Sequence, residues 1–306
     1  MGTVASTTAR RELPARCLVG RSRSCDLVSR GRDVSSRHAL LEWNGADWLV
    51  RDLGSRNGTS LDGRRLDVGA QAVVVAGARL VFGREDEAWV LDDAAPPRLM
   101  AVEVNADRQR IAEGGYLVLP GPDAPEHAVY RADGAWVTEQ QGSVRPVEDR
   151  EILVLADGVP WRLHLPDAEP GTWQDDPSAL ALGRLRLQLA YSRDEEYVEA
   201  VARCGEQHLD LGARAHHYLL LLLARRRLAD QAARMPEGEQ GWIRQDELLE
   251  MLRTTDNHIY IMIHRARTAL AGHGVADAAG LVERRSKTRQ LRLGLGQIEL
   301  RVLDRG

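Results

Sequence analysis

The chain has 306 residues, a formal net charge of −4, 43% hydrophobic and 28% charged residues. That is the composition of an ordinary globular protein, and the length suits about two domains. Its longest uninterrupted apolar run, Tyr218 to Ala224, is far short of the ~20 residues that cross a bilayer. The N-terminal residues carry no secretory h-region, so a cytoplasmic protein without a membrane partner is expected. Cys17, Cys25 and Cys204 lack the spacing of a disulfide framework or a zinc site. They read as small buried residues, and no metal or cofactor is implied.

Residues 1–98 alternate short apolar runs (Cys17-Leu18-Val19, Leu40-Leu41, Trp48-Leu49-Val50, Leu80-Val81-Phe82) with turn pairs such as Asn44-Gly45, Asn57-Gly58 and Asp62-Gly63. Short strands with turns at such close spacing predict an all-β sandwich. Three loop segments stand out: Gly20-Arg21-Ser22, then Ser35-Ser36-Arg37-His38, then Asp52-Leu53-Gly54-Ser55-Arg56-Asn57-Gly58-Thr59. Each sets hydroxyl, amide or backbone donors beside arginines, which is the inventory for binding a phosphomonoester.

Together, over about residues 16–93, the three segments resemble a forkhead-associated (FHA) domain, whose signature runs GR, S-x-x-H and D-L-G-S-x-N-G-T. The resemblance implies an eleven-strand sandwich that reads phosphothreonine in a partner through loops at one end. It places Arg21 and Ser35 on the phosphate, Arg56 around the phosphothreonine and Asn57 on the ligand backbone, with further contacts from Ser36 and Arg37. His38, Ser55, Gly58 and Thr59 are expected to brace the loops. Few residues precede the GR, so the first strand must come from Thr3 to Thr8 or be absent.

Residues 99–183 form a β-rich middle region. His127-Ala128, Gly134-Ala135, Trp136-Val137 and Gly142-Ser143 echo His38-Ala39, Gly45-Ala46, Trp48-Leu49 and Gly54-Ser55. Two readings stand: a second sandwich that has lost its phosphate loops, or a β-rich spacer. No chemistry is assigned to it, and Trp136, Trp161 and Trp173 read as packing residues.

Residues 184–306 read as α+β. Apolar runs at 184–191 and 198–201 predict strands. A helix over about Ala213 to Ala233 follows, with Arg225 to Arg227 on its solvated side, then a short helix over Gln245 to Leu252. A third helix, capped by Thr254 or Thr255, runs to about Ala271. In the third, Ile259, Ile263, Ala266 and Leu270 recur at helical spacing and form one apolar stripe. Asn257, Ile261, His264 and Thr268 then face directly away from the core, with Tyr260 and Arg267 on one shoulder and His258 and Arg265 on the other. Residues 281–293 suggest a basic β-hairpin.

This order resembles the winged helix-turn-helix effector domain of OmpR/PhoB-type response regulators, with Ile259 to Leu270 where that family has its recognition helix. The resemblance implies that the helix enters the major groove of double-stranded DNA while the wing contacts the adjacent backbone or minor groove. Asn257, His258, His264 and Thr268 are then candidates for reading base edges, with Tyr260 beside them and Ile261 placed for a thymine methyl. Arg265, Arg267, Arg284, Arg285, Lys287 and Arg289 are candidates for phosphate contacts. About five such contacts would give log K against log salt a slope of roughly −4 to −5.

The fold class expected is therefore multidomain: an all-β FHA sandwich (1–98), a β-rich middle region (99–183) and an α+β winged helix (184–306). The leading expectation is a transcriptional regulator that docks on a phosphothreonine protein, such as a Ser/Thr protein kinase or its substrate, and is thereby recruited to DNA, dimerised or released. The alternative is a phosphothreonine-dependent scaffold that does not touch DNA. No Gly-rich phosphate loop with Lys, metal-ligand spacing or nucleophile elbow supports an enzyme. The charge of −4 resolves by region into +2 for 1–98, −9 for 99–183 and +3 for 184–306, so the acidic total does not oppose a nucleic-acid partner. The acidic middle segment is expected to shield the basic wing when the FHA domain is empty.

Overall fold

The computed structural model describes residues 1–29, 31–83, 88–104, 106, 108–166, 180–285 and 287–303. The chain divides into two compact units: Met1–Ile111 with Glu148–Val154 and Val159–Thr172, and Ala112–Val147 with Leu155–Gly158 and Trp173–Gly306. Residues expected to form one middle region are thus shared between the two. Trp173, read as a packing residue, lies outside the described residues.

In the first unit, eleven strands between Thr3 and Asp93 form a six-stranded and a five-stranded sheet. The five-stranded sheet runs in the order Leu27–Val28, Arg16–Gly20, Ala39–Trp43, Trp48–Asp52, Gln71–Val74. Alternation along Trp48–Asp52 buries Trp48, Val50 and Asp52 and leaves Leu49 and Arg51 half-buried, as a pleated strand with one covered face requires. The six-stranded sheet begins with Thr3–Ala5, which pairs with Ala88–Asp93, so the residues before the GR supply the first strand. Both sheets feed one core that includes Val4, Leu13, Val19, Leu41, Trp48, Leu80 and Leu91. Asp62 (φ 49°) and Gly63 (φ 77°) make the two-residue left-handed turn that joins Thr59–Leu61 to Arg64–Arg65.

The same unit holds a four-stranded sheet in the order Gln109–Ile111, Met100–Glu103, Pro160–His164, Ile152–Val154, with Trp161 fully buried. The second unit holds another, in the order Leu117–Leu119, His127–Ala132, Ala135–Gln140, Ser143–Pro146. Strand for strand, the first repeats the order of Arg10–Glu12, Thr3–Ala5, Ala88–Asp93 and Arg79–Phe82. The second repeats that of Arg16–Gly20, Ala39–Trp43, Trp48–Asp52 and Gln71–Val74.

The rest of the second unit contains α1 (His217–Ala232), α2 (Gln245–Leu252) and α3 (Asp256–Gly272). Arg186–Ser192 and Val198–Cys204 are the two expected strands, paired antiparallel and extended by Gln207–Ala213 and by the strand Gln297–Leu303, which runs parallel to Arg186–Ser192. The strand Gln207–Ala213 delays the first helix, which begins at His217 and not at Ala213. Arg227 is buried in α1, against the expectation of a solvated side, because its guanidinium donates to the Leu293 carbonyl at 2.5 Å. Val282–Arg285 and Gln290–Leu293 pair as a hairpin, and Ile243–Arg244 joins its sheet. In α3 the predicted stripe of Ile259, Ile263, Ala266 and Leu270 is buried, and the Thr255 hydroxyl caps the helix by accepting from the His258 amide. Among the described residues no helix is long and apolar enough to cross a membrane.

Candidate functional site and candidate nucleic-acid interface

The antiparallel register Val19 to Ala39 to Asp52 puts the end of one strand, the start of the next and the end of a third side by side. The three motif segments therefore meet at one end of the five-stranded sheet. The Arg21 and Ser22 amides donate to the Ser35 and Ser36 carbonyls at 2.9 and 3.1 Å. This backbone-to-backbone approach needs Gly20, where a Cβ would stand 2.4 Å from the Ser36 carbonyl oxygen.

His38, fully buried, links two of the segments: its Nδ1 accepts from the Ser35 amide at 3.1 Å and its Nε2 lies 3.0 Å from the Gly58 carbonyl. An accepting Nδ1 fixes the neutral ring with the proton on Nε2, and burial, the largest influence on it, lowers its pKa. Gly58 itself sits at φ +82°, where a side chain would be strained. Asp52 holds the third segment from inside. Its Oδ1 accepts from the Gly54 and Ser55 amides, both at 2.9 Å, and its Oδ2 from the Ser55 and Thr59 hydroxyls at 2.6 and 2.7 Å. Burial raises its pKa, but those hydrogen bonds outweigh burial and hold the carboxyl below its ordinary range. Ser55 Oγ in turn accepts from the Gly58 amide at 2.9 Å.

On this braced frame the Ser35 hydroxyl accepts from the Arg56 amide at 3.1 Å, and the Asn57 side chain donates to the Asp33 carbonyl at 2.7 Å. Arg21, Ser36, Arg37 and Arg56 are exposed, while Ser35 and Asn57 are half-buried. Among the described residues, no carboxylate lies within ion-pair distance of Arg21, Arg37 or Arg56. Three unpaired guanidinium groups beside a rigid set of hydroxyl and amide groups can bind a dianion without first breaking internal pairs. The sequence reading assigned no role to Asp52, although it opens the third motif segment and is the one acid in it.

The second unit treats its candidate residues differently. Part of the α3 surface expected to lie away from the core, around Tyr260, His264 and Arg267, is covered by the sheet 117–146 and Tyr116. His264 is fully buried, Tyr260 is 4% exposed and Arg267 5%. Arg267 donates to Glu139 Oε2 at 2.8 Å, to the Val282 carbonyl at 2.7 Å and to the Tyr116 hydroxyl at 3.4 Å. The Tyr116 hydroxyl is bonded to His264 Nδ1, and the Tyr260 hydroxyl donates to the Glu139 carbonyl at 3.1 Å. Burial, with the Arg267 charge second, pushes His264 down to about 3. Burial raises the Glu139 pKa, but the surrounding groups, Arg267 foremost and the Tyr130 hydroxyl with it, together outweigh burial and keep the carboxylate ionised. Tyr260, His264 and Arg267 are therefore corrected from solvent-facing to buried. The helical period placed His264 opposite the apolar stripe and Tyr260 and Arg267 on its shoulder, and Tyr116, Val118 and Ala128 supply a second packing surface there.

The remaining residues grade outward. Ile261 and Thr268 are half-buried. Arg265 pairs with Asp123 at 3.0 Å, and Arg284 donates to the Gln141 carbonyl at 3.1 Å. Arg285 pairs with Glu239 at 2.9 Å and stacks 4.2 Å above the Trp242 ring. Arg289 is exposed, 3.4 Å from Asp256. Asn257, His258 and Lys287 are exposed. Glu139, to which the sequence reading gave no role, is the acid that organises the covered face. Its signal was the internal echo: Ala39 lies across from Asp52 and Ala128 across from Glu139, each alanine following a histidine.

Residues 17–83 match the FHA domain family. The FHA domain-containing protein FhaB of Mycolicibacterium smegmatis is 38% identical over 63 residues, covering 21% of this chain and 41% of that protein. FhaB of Mycobacterium tuberculosis is 49% identical over 45 residues, 15% of this chain and 29% of that one. The chain thus spans less than half the length of these relatives. Among solved structures, the FHA domain of an Arabidopsis thaliana hypothetical protein shares 20% identity over 32% of this chain and 90% of that chain, with a TM-score of 0.29. The sandwich, its loop motif and the family match agree, and residues 17–83 of this chain form a forkhead-associated domain.

Proposed function

We propose that this chain is a phosphothreonine-dependent regulator of DNA, acting in the cytoplasm without catalysis. Its FHA domain takes a phosphothreonine of a Ser/Thr protein kinase, of that kinase's substrate or of a second copy of this chain. The observation that carries the first half is the set of unpaired arginines, Arg21, Arg37 and Arg56, around the braced Ser35 and Asn57. The DNA half is supported by the order of three helices and a basic hairpin, and by the exposed Asn257, His258, Lys287 and Arg289. In the conformation described, Arg265, Arg267 and Arg284 are engaged by residues within 117–146. About three cations, Arg285, Lys287 and Arg289, then remain for phosphate, giving a slope of log K against log salt of about −3. Release of α3 from that sheet restores the slope of about −4 to −5 expected for the full set.

A second reading, a phosphothreonine-dependent scaffold that leaves DNA alone, is supported by the burial of Tyr260, His264 and Arg267. Anisotropy with phosphorylated and unphosphorylated threonine peptides tests the first half. Mobility shifts on genomic fragments, with and without the phosphopeptide, test the second. DNA binding that is weakened by replacing Arg285, Lys287 and Arg289 with Ala supports the regulator; no DNA binding under any condition leaves the scaffold.

A further inference from the structure

The cavity beside the phosphate loops has a wall that the FHA domain does not supply. It measures about 470 Å3, and Arg21, Arg23, Asp26, Val28, Val102, Glu103 and Arg162 are among the residues that line it. Val102 and Glu103 belong to the strand Met100–Glu103 and Arg162 to its partner Pro160–His164, all beyond the residues that match the family.

The charges of this cavity do not cancel. Each of its acids already has an arginine. Asp26 holds Arg150 at 3.0 Å and accepts from the Leu18 amide at 2.8 Å, with Arg162 4.0 Å away and the neutral His164, its pKa lowered by burial, at 3.8 Å. Glu103 holds Arg108. Arg21 and Arg23 are exposed, and no carboxylate lies within ion-pair distance of either among the described residues. The field inside is therefore positive, with Val28 and Val102 offering apolar contact for a side-chain stem.

We propose that this cavity is a second recognition site for the phosphopeptide, taking an acidic side chain near the phosphothreonine, with Arg23 and Arg162 as the residues that read it. The site rests on the phosphothreonine reading, since Arg21 is both the expected phosphate ligand and a lining residue. An extended peptide advances about 3.3 Å per residue, so a side chain within about three positions of the phosphothreonine reaches the cavity. The middle region thereby selects which phosphothreonine the FHA domain accepts, through a wall that an isolated FHA domain lacks.

The test uses the full chain and two phosphothreonine peptides that differ only in carrying Glu or Gln at the flanking positions, compared by fluorescence anisotropy. The native chain is expected to bind the Glu peptide roughly three- to tenfold tighter, the range of one or two partly exposed ion pairs. Arg23→Gln and Arg162→Gln are each expected to reduce that ratio, and together to bring it near one. Arg23 is exposed, so its replacement leaves the fold intact. Equal affinity of the native chain for both peptides overturns the proposal, as does a ratio that survives both replacements. Arg21→Ala separates the layers: loss of both peptides in this variant supports the phosphothreonine reading beneath the cavity. Failure of the native chain to bind either peptide overturns that reading and the cavity with it.

Discussion

The five-stranded sheet of the FHA domain and the sheet 117–146 share an order of strands and present opposite charge. In the first, the connections at the reading end are long, residues 21–38 and 53–70 with short strands inside them, and the second carries Ser55 and Thr59, which donate to Asp52. The carboxylate is satisfied internally, and the arginines above it stay unpaired. In the second, the corresponding connections shrink to residues 120–126 and to Gln141-Gly142. Glu139, at the register of Asp52, has among the described residues no loop hydroxyl donating to it, and accepts from the strand residue Tyr130 and from Arg267 of α3. One framework thus offers cations to an incoming anion, and the other offers an anion to a cation of its own chain. The lesson is that loop length decides whether a buried carboxylate serves as a brace or as a binding group.

That contrast can be broken experimentally. The largest effect is expected from Glu139→Ala, which leaves the guanidinium of Arg267 buried without its counterion. Removing one partner of such a pair costs about 3–5 kcal/mol, read as a lowered urea midpoint of the second unit. If the FHA sandwich loses as much, the two sheets do not act separately. The milder Glu139→Gln is expected to loosen α3 without emptying the site, seen as faster amide exchange over residues 256–272 and a steeper salt dependence of DNA binding.

Arg21→Ala addresses the other sheet. A lost charge-assisted contact of about 1.5–3 kcal/mol lowers phosphopeptide affinity by roughly 10- to 100-fold, with the thermal midpoint of the sandwich unmoved. Ser55→Ala should lower both stability and affinity. Removing the hydroxyl that donates to Asp52 and accepts from Gly58 costs the sandwich about 1–2 kcal/mol, and phosphopeptide affinity falls because the loop frays. A Ser55→Ala domain as stable as the native one would show that Asp52 does not brace the loops.

Acid sharpens the comparison last. In the second unit His217 and His264 are pushed down to about 3, in each case chiefly by burial. Unfolding returns them to about 6.5, so the unfolded chain binds their protons first. Their contribution is complete above pH 6.5 and is lost as pH falls, at about 1.4 kcal/mol per pH unit for each. His38 and His164 of the first unit shift in the same direction, but the second unit adds His216, pushed down to about 4, beside His217. Exchange rates measured at pH 7, 6 and 5, each divided by the intrinsic amide rate at that pH, should therefore rise faster over α3 than over strands 39–52. Parallel rises would contradict the larger histidine burden of the second unit.

What was legible in the amino-acid order depended on distance along the chain. The FHA loops are close in sequence, and their donors and arginines sit at fixed offsets from strand ends, so the site could be read residue by residue. The buried stripe of α3, its Thr255 cap and the hairpin after it are likewise local, because a helical period and a capping hydroxyl act over a few residues. Asp52 escaped assignment because an acid in a turn motif does not reveal that four donors converge on it.

The sequence by itself determined the sandwich, the phosphate loops and the apolar stripe of α3, since each follows from local periodicity and turn chemistry. Only the tertiary structure decided what lies against the other face of α3. Tyr116 and Glu139 stand more than a hundred positions before the residues they hold. No local pattern encodes that partnership: a polar helix face looks the same in sequence whether water, DNA or a sheet of its own chain completes its hydrogen bonds.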